Sequence, residues 1–458
     1  MGIIIRGGTI VTATDYYQSD VRIENEKIVA IGTGSESPND KIIQVNGCYL
    51  FPGGVDVHTH FELPVGSMVT ADDFSSGTRA AIMGGTTTIV DYATQFKGET
   101  LKQALSNWHE KAHGKCYSDY GFHMAITDWN EEIAEEIAWL TQQAGVSSIK
   151  LYMAYKNVLQ VDDDVLFQAL QRSRECGVLV CLHCENGDMI HNLVKNYLRK
   201  GQTGPYYHHL SRPTIVETEA VTRAIALAEL ADTSLYVVHL TCRDALEVVA
   251  DAKGRGLKVY AETCPQYLLL DESCYHGKDF TIAKYAISPP LRSKDNQVSL
   301  WNGLQNGTLD VVATDHCSFN FEGQKDAVTN DFSKIPNGMP GVENRLKLLY
   351  TYGVVPGKMS INEFVNKTST QPAKLFGLFP RKGTIAPGSD ADIVVWDPRG
   401  ESMIRASEQY QRVDYTPYEG FKQMGNIEHV FLRGQHLVRD GKLCKDKPKG
   451  TYISRMPF

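Results

Sequence analysis

Apolar residues follow two different rhythms along this chain. Between residues 51 and 378, short β-prone apolar runs alternate with longer stretches of helical patterning. The runs at 54–57, 87–92, 120–125, 148–152, 178–183, 234–240, 258–263 and 310–314 read as buried strands. Stretches such as 72–83, 130–143, 163–175, 216–230 and 243–254 read as the helices between them. Eight strands with connecting helices predict an α/β protein built on a parallel (β/α)8 TIM-like barrel. The flanks differ. Residues 1–50 and 379–440 carry short strand patterns (3–5, 21–23, 27–31 and 41–45; then 382–385, 391–396 and 429–434) broken by tight turns. They predict a small β-sandwich domain formed from both chain ends, with the barrel inserted between. The last segment, 441–458, carries Lys445, Lys447 and Lys449 near two prolines and reads as a solvated extension or a subunit contact.

The strand pattern gives one tripeptide its meaning. His58-Thr59-His60 closes the first barrel run, and residues two apart on a strand share a face, so both imidazoles can meet one metal ion. Lys150, His183, His239 and Asp315 fall at or near the ends of the fourth, fifth, sixth and eighth runs. In such barrels the chemistry sits at the C-terminal ends of the strands. Six metal-competent residues on one rim predict a dinuclear metal site. Lys150 is the odd member, because an ammonium among cations would be repelled. A neutral buried amine, by contrast, can add carbon dioxide and become a carbamate, an anion suited to bridging two metals. Asp315 competes with a helix-capping role, but its place opposite the His-x-His pair favours a metal ligand and proton shuttle. His208-His209 reads as part of a polar loop with no metal role, and His316 as bland, since strand alternation points it away from the site.

Composition narrows the partners. With 458 residues, 42% of them hydrophobic, the chain can bury a large core, and a net charge of −8 disfavours nucleic acid or an anionic membrane. No apolar run is long enough to span a bilayer, and the N-terminus lacks the features of a signal peptide. Ten cysteines, mostly inside apolar segments, read as reduced core thiols, Cys181-x-x-Cys184 included, and place the protein in the cytoplasm.

Ordered motifs along essentially the whole chain resemble the hydantoinase and dihydropyrimidinase family, the cyclic amidohydrolases of the amidohydrolase superfamily. They run from Phe51-Pro-Gly-Gly-Val-Asp-Val-His-Thr-His60 through Lys150-Leu-Tyr-Met-Ala-Tyr-Lys156, His183-Cys-Glu-Asn186 and Val238-His-Leu240. Glu262-Thr-Cys-Pro-Gln266, Ser288-Pro-Pro-Leu-Arg292 and Thr314-Asp-His316 continue the series. The resemblance implies that His58, His60, Lys150 and Asp315 hold one zinc ion, and that carboxylated Lys150, His183 and His239 hold a second. Manganese or cobalt would also suit these ligands. It further implies substrate contacts from Tyr155, Ser288 and Asn337, the latter two largely through backbone groups, and a homotetramer.

The implied reaction opens a cyclic amide to an N-carbamoyl amino acid. Hydroxide attacks the ring carbonyl, Tyr155 steadies the oxyanion, and Asp315 carries the proton to the leaving nitrogen. Dihydroorotase-like relatives carry an arginine just after the His-x-His pair to grip a carboxylate, whereas this chain has Phe61-Glu62-Leu63, so a neutral ring is expected. The resemblance also implies that Leu63, Tyr152 and Leu159, at or beyond the ends of the first and fourth strands, surround the ring substituent. An apolar, partly aromatic gate of this kind points to D-5-aryl hydantoins, with dihydropyrimidines next and allantoin after them. The family also contains non-catalytic scaffold relatives that have lost metal ligands, but every ligand position is filled here.

Overall fold

The computed structural model describes residues 2–34, 37–277, 279–444 and 447–458. Eight strands, Gly54–Thr59, Thr86–Thr94, Asp119–Ala125, Ser148–Tyr152, Leu179–His183, Leu235–Val237, Val259–Thr263 and Val311–Val312, hydrogen-bond to one another in chain order. Every neighbouring pair is parallel. Past the eighth strand, the His60 amide donates to the His316 carbonyl at 2.8 Å and the His316 amide to the His58 carbonyl at 3.3 Å, which draws the last segment against the first. Helices including Phe74–Met83, Leu101–Ala112, Glu131–Gln142, Asp163–Cys176, Thr214–Leu230, Arg243–Gly254 and Asp295–Gln305 cross between strands. The first three begin at polar caps: Asp73, Thr100 and Asn130 accept the amides of Ser76, Gln103 and Ile133.

The expected strands are all present, but two are shorter. The sixth stops at Val237 rather than 240 and the eighth at Val312 rather than 314. The backbone turns away for a reason: His239 and Asp315 adopt φ of 39° and 51°, outside the strand region. Apolar composition alone does not mark where a strand ceases to pair.

Both chain ends enter one nine-stranded sheet and so share one β domain; its strands hydrogen-bond continuously, where the flanking patterns predict a small sandwich. Tyr49–Pro52 lies at its middle, antiparallel to Ile393–Trp396 and parallel to Thr9–Ile10. Ile5, Ile10, Val21, Leu50, Ile393, Val395 and Phe431 form the core of this sheet. The strand runs straight into the barrel through Gly53, where a Cβ would lie 2.0 Å from the Thr87 hydroxyl, so only glycine lets the sheet and barrel approach this closely. Beside that passage the buried Lys382 ammonium meets Asp119 at 2.6 Å, Asp392 at 2.7 Å and Asp390 at 3.1 Å, while Arg433 contacts Asp119 at 3.1 Å.

The end of the chain is solvated only in part, which amends one of the two expectations for 441–458: Ile453 and Arg455 are buried, while most of the described residues around them are exposed. Lys442–Leu443 extends the sheet, and residues 450–458 run across the N-terminal end of the barrel, on the opposite side from His58 and His60. Tyr120 donates to Thr451, Ile453 to Tyr120, and Arg455 to Gly145 through backbone groups. Ile453 is buried in the barrel floor, and the buried Arg455 guanidinium bonds Phe122 O and Ser148 Oγ. A lysine count cannot reveal this, because the anchoring residues are the few apolar and backbone groups after the lysines; Lys445 lies outside the described residues. No described helix is long and apolar enough to cross a membrane.

Candidate metal centre

Two sets of ligand atoms converge at the C-terminal rim. His58 Nε2 and His60 Nε2 each lie 3.2 Å from Asp315 Oδ1, and ligand atoms of the three residues fall within 4.8 Å of one another. On the neighbouring strands, His183 Nδ1 lies 2.9 Å from His239 Nε2. The imidazoles of the two sets are adjacent, with the His58 and His239 ring centroids 5.5 Å apart. Lys150, paired in register with Ala125 and Cys181 on either side, is fully buried beside both sets. Its ammonium lies 5.0 Å from the Tyr92 ring and 5.2 Å from the Tyr152 ring, and no carboxylate of the described residues pairs with it.

Carboxylates behind the rings fix which nitrogen each histidine presents. His58 Nδ1 is in close contact with Glu262 Oε1, and Glu262 Oε2 accepts from the Tyr236 hydroxyl at 2.8 Å. His183 Nε2 donates to Glu185 Oε2 at 2.8 Å, and Arg212 donates to the same oxygen at 2.6 Å. With those protons committed outward, His58 Nε2 and His183 Nδ1 turn lone pairs inward, the arrangement by which metal-binding histidines are oriented. His60 Nδ1 and His239 Nδ1 are buried with no hydrogen-bond partner among the described residues.

The electrostatics agree with a cation site. Burial lowers the pKa of His58, His183 and His239, so the rings favour their neutral, ligating form. Burial also lowers Lys150, against the pull of Cys181, Glu262 and Asp315, towards the free amine. For Asp315, burial raises the carboxyl, but its neighbours His58, His60 and Lys150 favour the carboxylate and the net shift is downward. The same contest at Glu185 is won by Arg212 and His183, which bring its pKa down to about 2. Neutral imidazoles, an amine without a counter-ion and an ionised carboxylate around one centre fit a pair of divalent cations.

Of the expected substrate residues, Tyr152 and Tyr155 lie beside this centre. Tyr155 follows the fourth strand with φ of 66°, its ring 5.2 Å from His183 and 6.1 Å from Tyr152. The Arg212 guanidinium sits 5.5 Å from the Tyr155 ring centroid. Burial raises the Tyr155 phenol above its usual range, with Arg212 opposing, so it stays protonated. Leu63 and Leu159 are partly buried on the loops after the first and fourth strands. Ser288 is buried and Asn337 half-buried; among the described residues neither backbone amide has a protein acceptor.

Two expectations about histidines need comment. His208 and His209 lie on a short helix, Tyr206–Leu210, not in a polar loop. His208 is buried and donates to the Ile287 carbonyl at 2.7 Å, while His209 stacks on Tyr275. A helix this short leaves no periodicity to read. His316 does turn away from the ligands, towards Asp72 at 3.0 Å, and accepts the amides of Gly341 and Val342. Sequence reasoning missed Glu185, Glu262, Arg212 and Tyr92 as parts of the centre. Glu185 had a signal, because it stands two residues from His183 on the same face. Glu262 had a weaker one, as an acid closing an apolar run.

The Amidohydrolase family profile matches residues 49–437. The chain is 48% identical to a D-hydantoinase of Geobacillus stearothermophilus over 99% of this chain and 97% of that one. It is 42% identical to a D-phenylhydantoinase of Escherichia coli over 100% and 99%. The crystal structure of a dihydropyrimidinase from Brevibacillus agri NCHU1002 superposes with a TM-score of 0.99, at 49% identity, covering 100% of this chain and 99% of that one. The chain belongs to the amidohydrolase family, in its D-hydantoinase and dihydropyrimidinase branch.

Proposed function

We propose that this enzyme, a hydrolase of cyclic amides, opens the ring of 5-substituted hydantoins to N-carbamoyl amino acids, with D-aryl hydantoins preferred. The observation that carries the reading is the pair of facing donor sets, His58/His60/Asp315 and His183/His239, with Lys150 buried beside both. His58, His60, Asp315 and Lys150 would hold one divalent ion, and His183, His239 and the same lysine, carboxylated by carbon dioxide, would hold the other. When bound, two such ions, zinc foremost and manganese or cobalt as alternatives, supply hydroxide near neutral pH and polarise the scissile carbonyl.

The remaining work falls to the chain's own groups. Asp315, ionised and facing both histidines, accepts the proton of the attacking water at a carboxylate oxygen and delivers it to the leaving ring nitrogen. Tyr155, held protonated by burial, donates to the oxygen on which negative charge develops. The unpaired backbone groups of Ser288 and Asn337 suit the imide edge of the ring. Leu63, Tyr152 and Leu159 would surround the ring substituent, and an apolar wall favours an aryl group. The D-hydantoinase and D-phenylhydantoinase names of the relatives support the enantiomer. The dihydropyrimidinase among the structural relatives makes dihydrouracil the second substrate to consider. Ten unpaired cysteines suit a reducing, cytoplasmic setting, and the family resemblance supports a homotetramer.

The test is product formation by the metal-loaded enzyme on D- and L-5-phenylhydantoin, dihydrouracil and allantoin side by side. Faster opening of D-5-phenylhydantoin is expected. A preference for dihydrouracil would move the assignment to dihydropyrimidinase, and no opening of any ring would overturn the reading.

A further inference from the structure

Ser288 and Asn337 sit on two separate segments, so the imide clamp proposed above exists only if something holds those segments in register. Three groups do. The Gly338 amide donates to the Ala286 carbonyl at 3.0 Å and ties the segments directly. A Cβ at Gly338 would lie 2.1 Å from the Cys317 carbonyl, at a φ of 148°, so this tie depends on glycine. His208 bonds the Ile287 carbonyl from behind. The third group is Lys325. Its ammonium donates to Ala286 O at 3.0 Å and to Pro336 O at 2.9 Å, one acceptor on each segment.

Lys325 is an unusual residue to find there. It is fully buried, with no carboxylate partner among the described residues, and burial brings its pKa down to about 7. A lysine so placed is costly, and an apolar side chain would suit the neighbouring cluster of Ala283, Ala286, Phe332 and Ile335 better. Its own segment is fastened elsewhere: Gln324 donates to the Val69 carbonyl, and Asp414 accepts the amides of Phe321 and Glu322. The ammonium is therefore delivered to the two carbonyls by a backbone that does not need it for anchorage.

The acceptors are specific in a second way. Pro336 O belongs to the peptide unit that carries the Asn337 N–H, and Ile287 O to the unit that carries the Ser288 N–H. A donor on the carbonyl polarises the peptide and strengthens the N–H at its other end. Lys325 thus backs one of the two unpaired amides, and His208 backs the other.

We propose that Lys325 is a positioning residue for substrate binding, which joins the Ser288 and Asn337 segments and presents the Asn337 amide to the imide edge of the ring. The proposal rests on the cyclic-imide reading of the site. A contact present in both bound substrate and transition state appears mainly in KM. The test is Lys325→Met in the metal-loaded enzyme, with 5-phenylhydantoin kinetics, metal analysis, and amide hydrogen exchange of the two segments. The expected result is a KM raised at least about tenfold, kcat within about threefold, two ions retained, and faster exchange confined to residues 286–288 and 336–338. Unchanged KM and exchange would overturn the proposal, as would loss of metal and kcat with KM preserved. Should Lys325→Met not fold, Lys325→Gln is the second variant. Its amide is one bond too short to reach both carbonyls, so KM should rise at least about threefold, and a KM equal to that of the parent would overturn the proposal. If the parent enzyme opens no cyclic imide, the exchange measurement still decides whether Lys325 joins the two segments, so that failure is distinguishable.

Discussion

Tyr155 and Lys150 show how burial decides what a side chain can do at this rim. Burial keeps the Tyr155 phenol protonated and so a donor. Tyr155→Phe should lower kcat by about 10²–10³-fold, the usual cost of an oxyanion donor, with little change in KM; a change mainly in KM would make Tyr155 a binding residue instead. Lys150→Ala should leave less than one metal ion per chain, by metal analysis of the purified protein, with ring opening abolished. Glu262→Gln, which replaces one carboxylate oxygen behind His58 with an amide nitrogen while keeping the shape, should weaken metal retention by about 10–100-fold in chelator competition. The six candidate ligands could be picked out of the sequence because each closes or follows an apolar run that a barrel sends to one rim. The outer partners were less legible: Glu185 stands two residues from His183, but Glu262 comes from far along the chain. His58 and Glu262 lie 204 residues apart, and nothing local distinguishes a glutamate that orients a ligand from one that answers a distant arginine.

At the scale of elements, periodicity found all eight strands but not their ends, because pairing stops where a ligand must leave the sheet, as at His239 and Asp315. The final segment was read only in part, for a related reason. Its lysines dominate the composition, whereas its structure is decided by Ile453 and Arg455 beneath the barrel. A chain ending after residue 449 would lose the buried Ile453 and the donors to Phe122 and Ser148. Loss of one large buried aliphatic side chain alone costs about 2–5 kcal/mol, so the shortened chain should melt several degrees lower in thermal denaturation. An unchanged melting temperature would show that the floor closes without it.

Across the whole molecule, the sheet and barrel are locked by buried charges around Lys382. At Asp390, burial opposes ionisation, but Lys382, Lys27 and Arg381 outweigh it and bring the pKa down to about 2. The folded value lies below the unfolded one of about 3.9, so this stabilisation is complete above about pH 4 and is lost as pH falls towards 2. Its size is of order 2 kcal/mol, and Asp390→Asn should flatten that part of the acid stability profile. Lys382 titrates in the opposite sense. Burial opposes its charge, but Asp392, Asp119 and Asp390 raise its pKa, so its contribution is present below about pH 10.4 and is lost as pH rises through the folded value. Fluorescence of Trp396, packed against Phe51 and Tyr350, should report loosening at either extreme.

The sheet that joins the two chain ends also sets a schedule for biosynthesis. Tyr49–Pro52 must wait for Ile393–Trp396, roughly 340 residues later, and at about 5–20 residues per second that is tens of seconds on the ribosome. Throughout that interval the nascent chain carries a half-built sheet with an open edge, the kind of surface on which other chains can add strands. Yield in a cell should therefore be limited by protection of this early edge, by chaperones or slower growth temperature, more than by the stability of the finished enzyme.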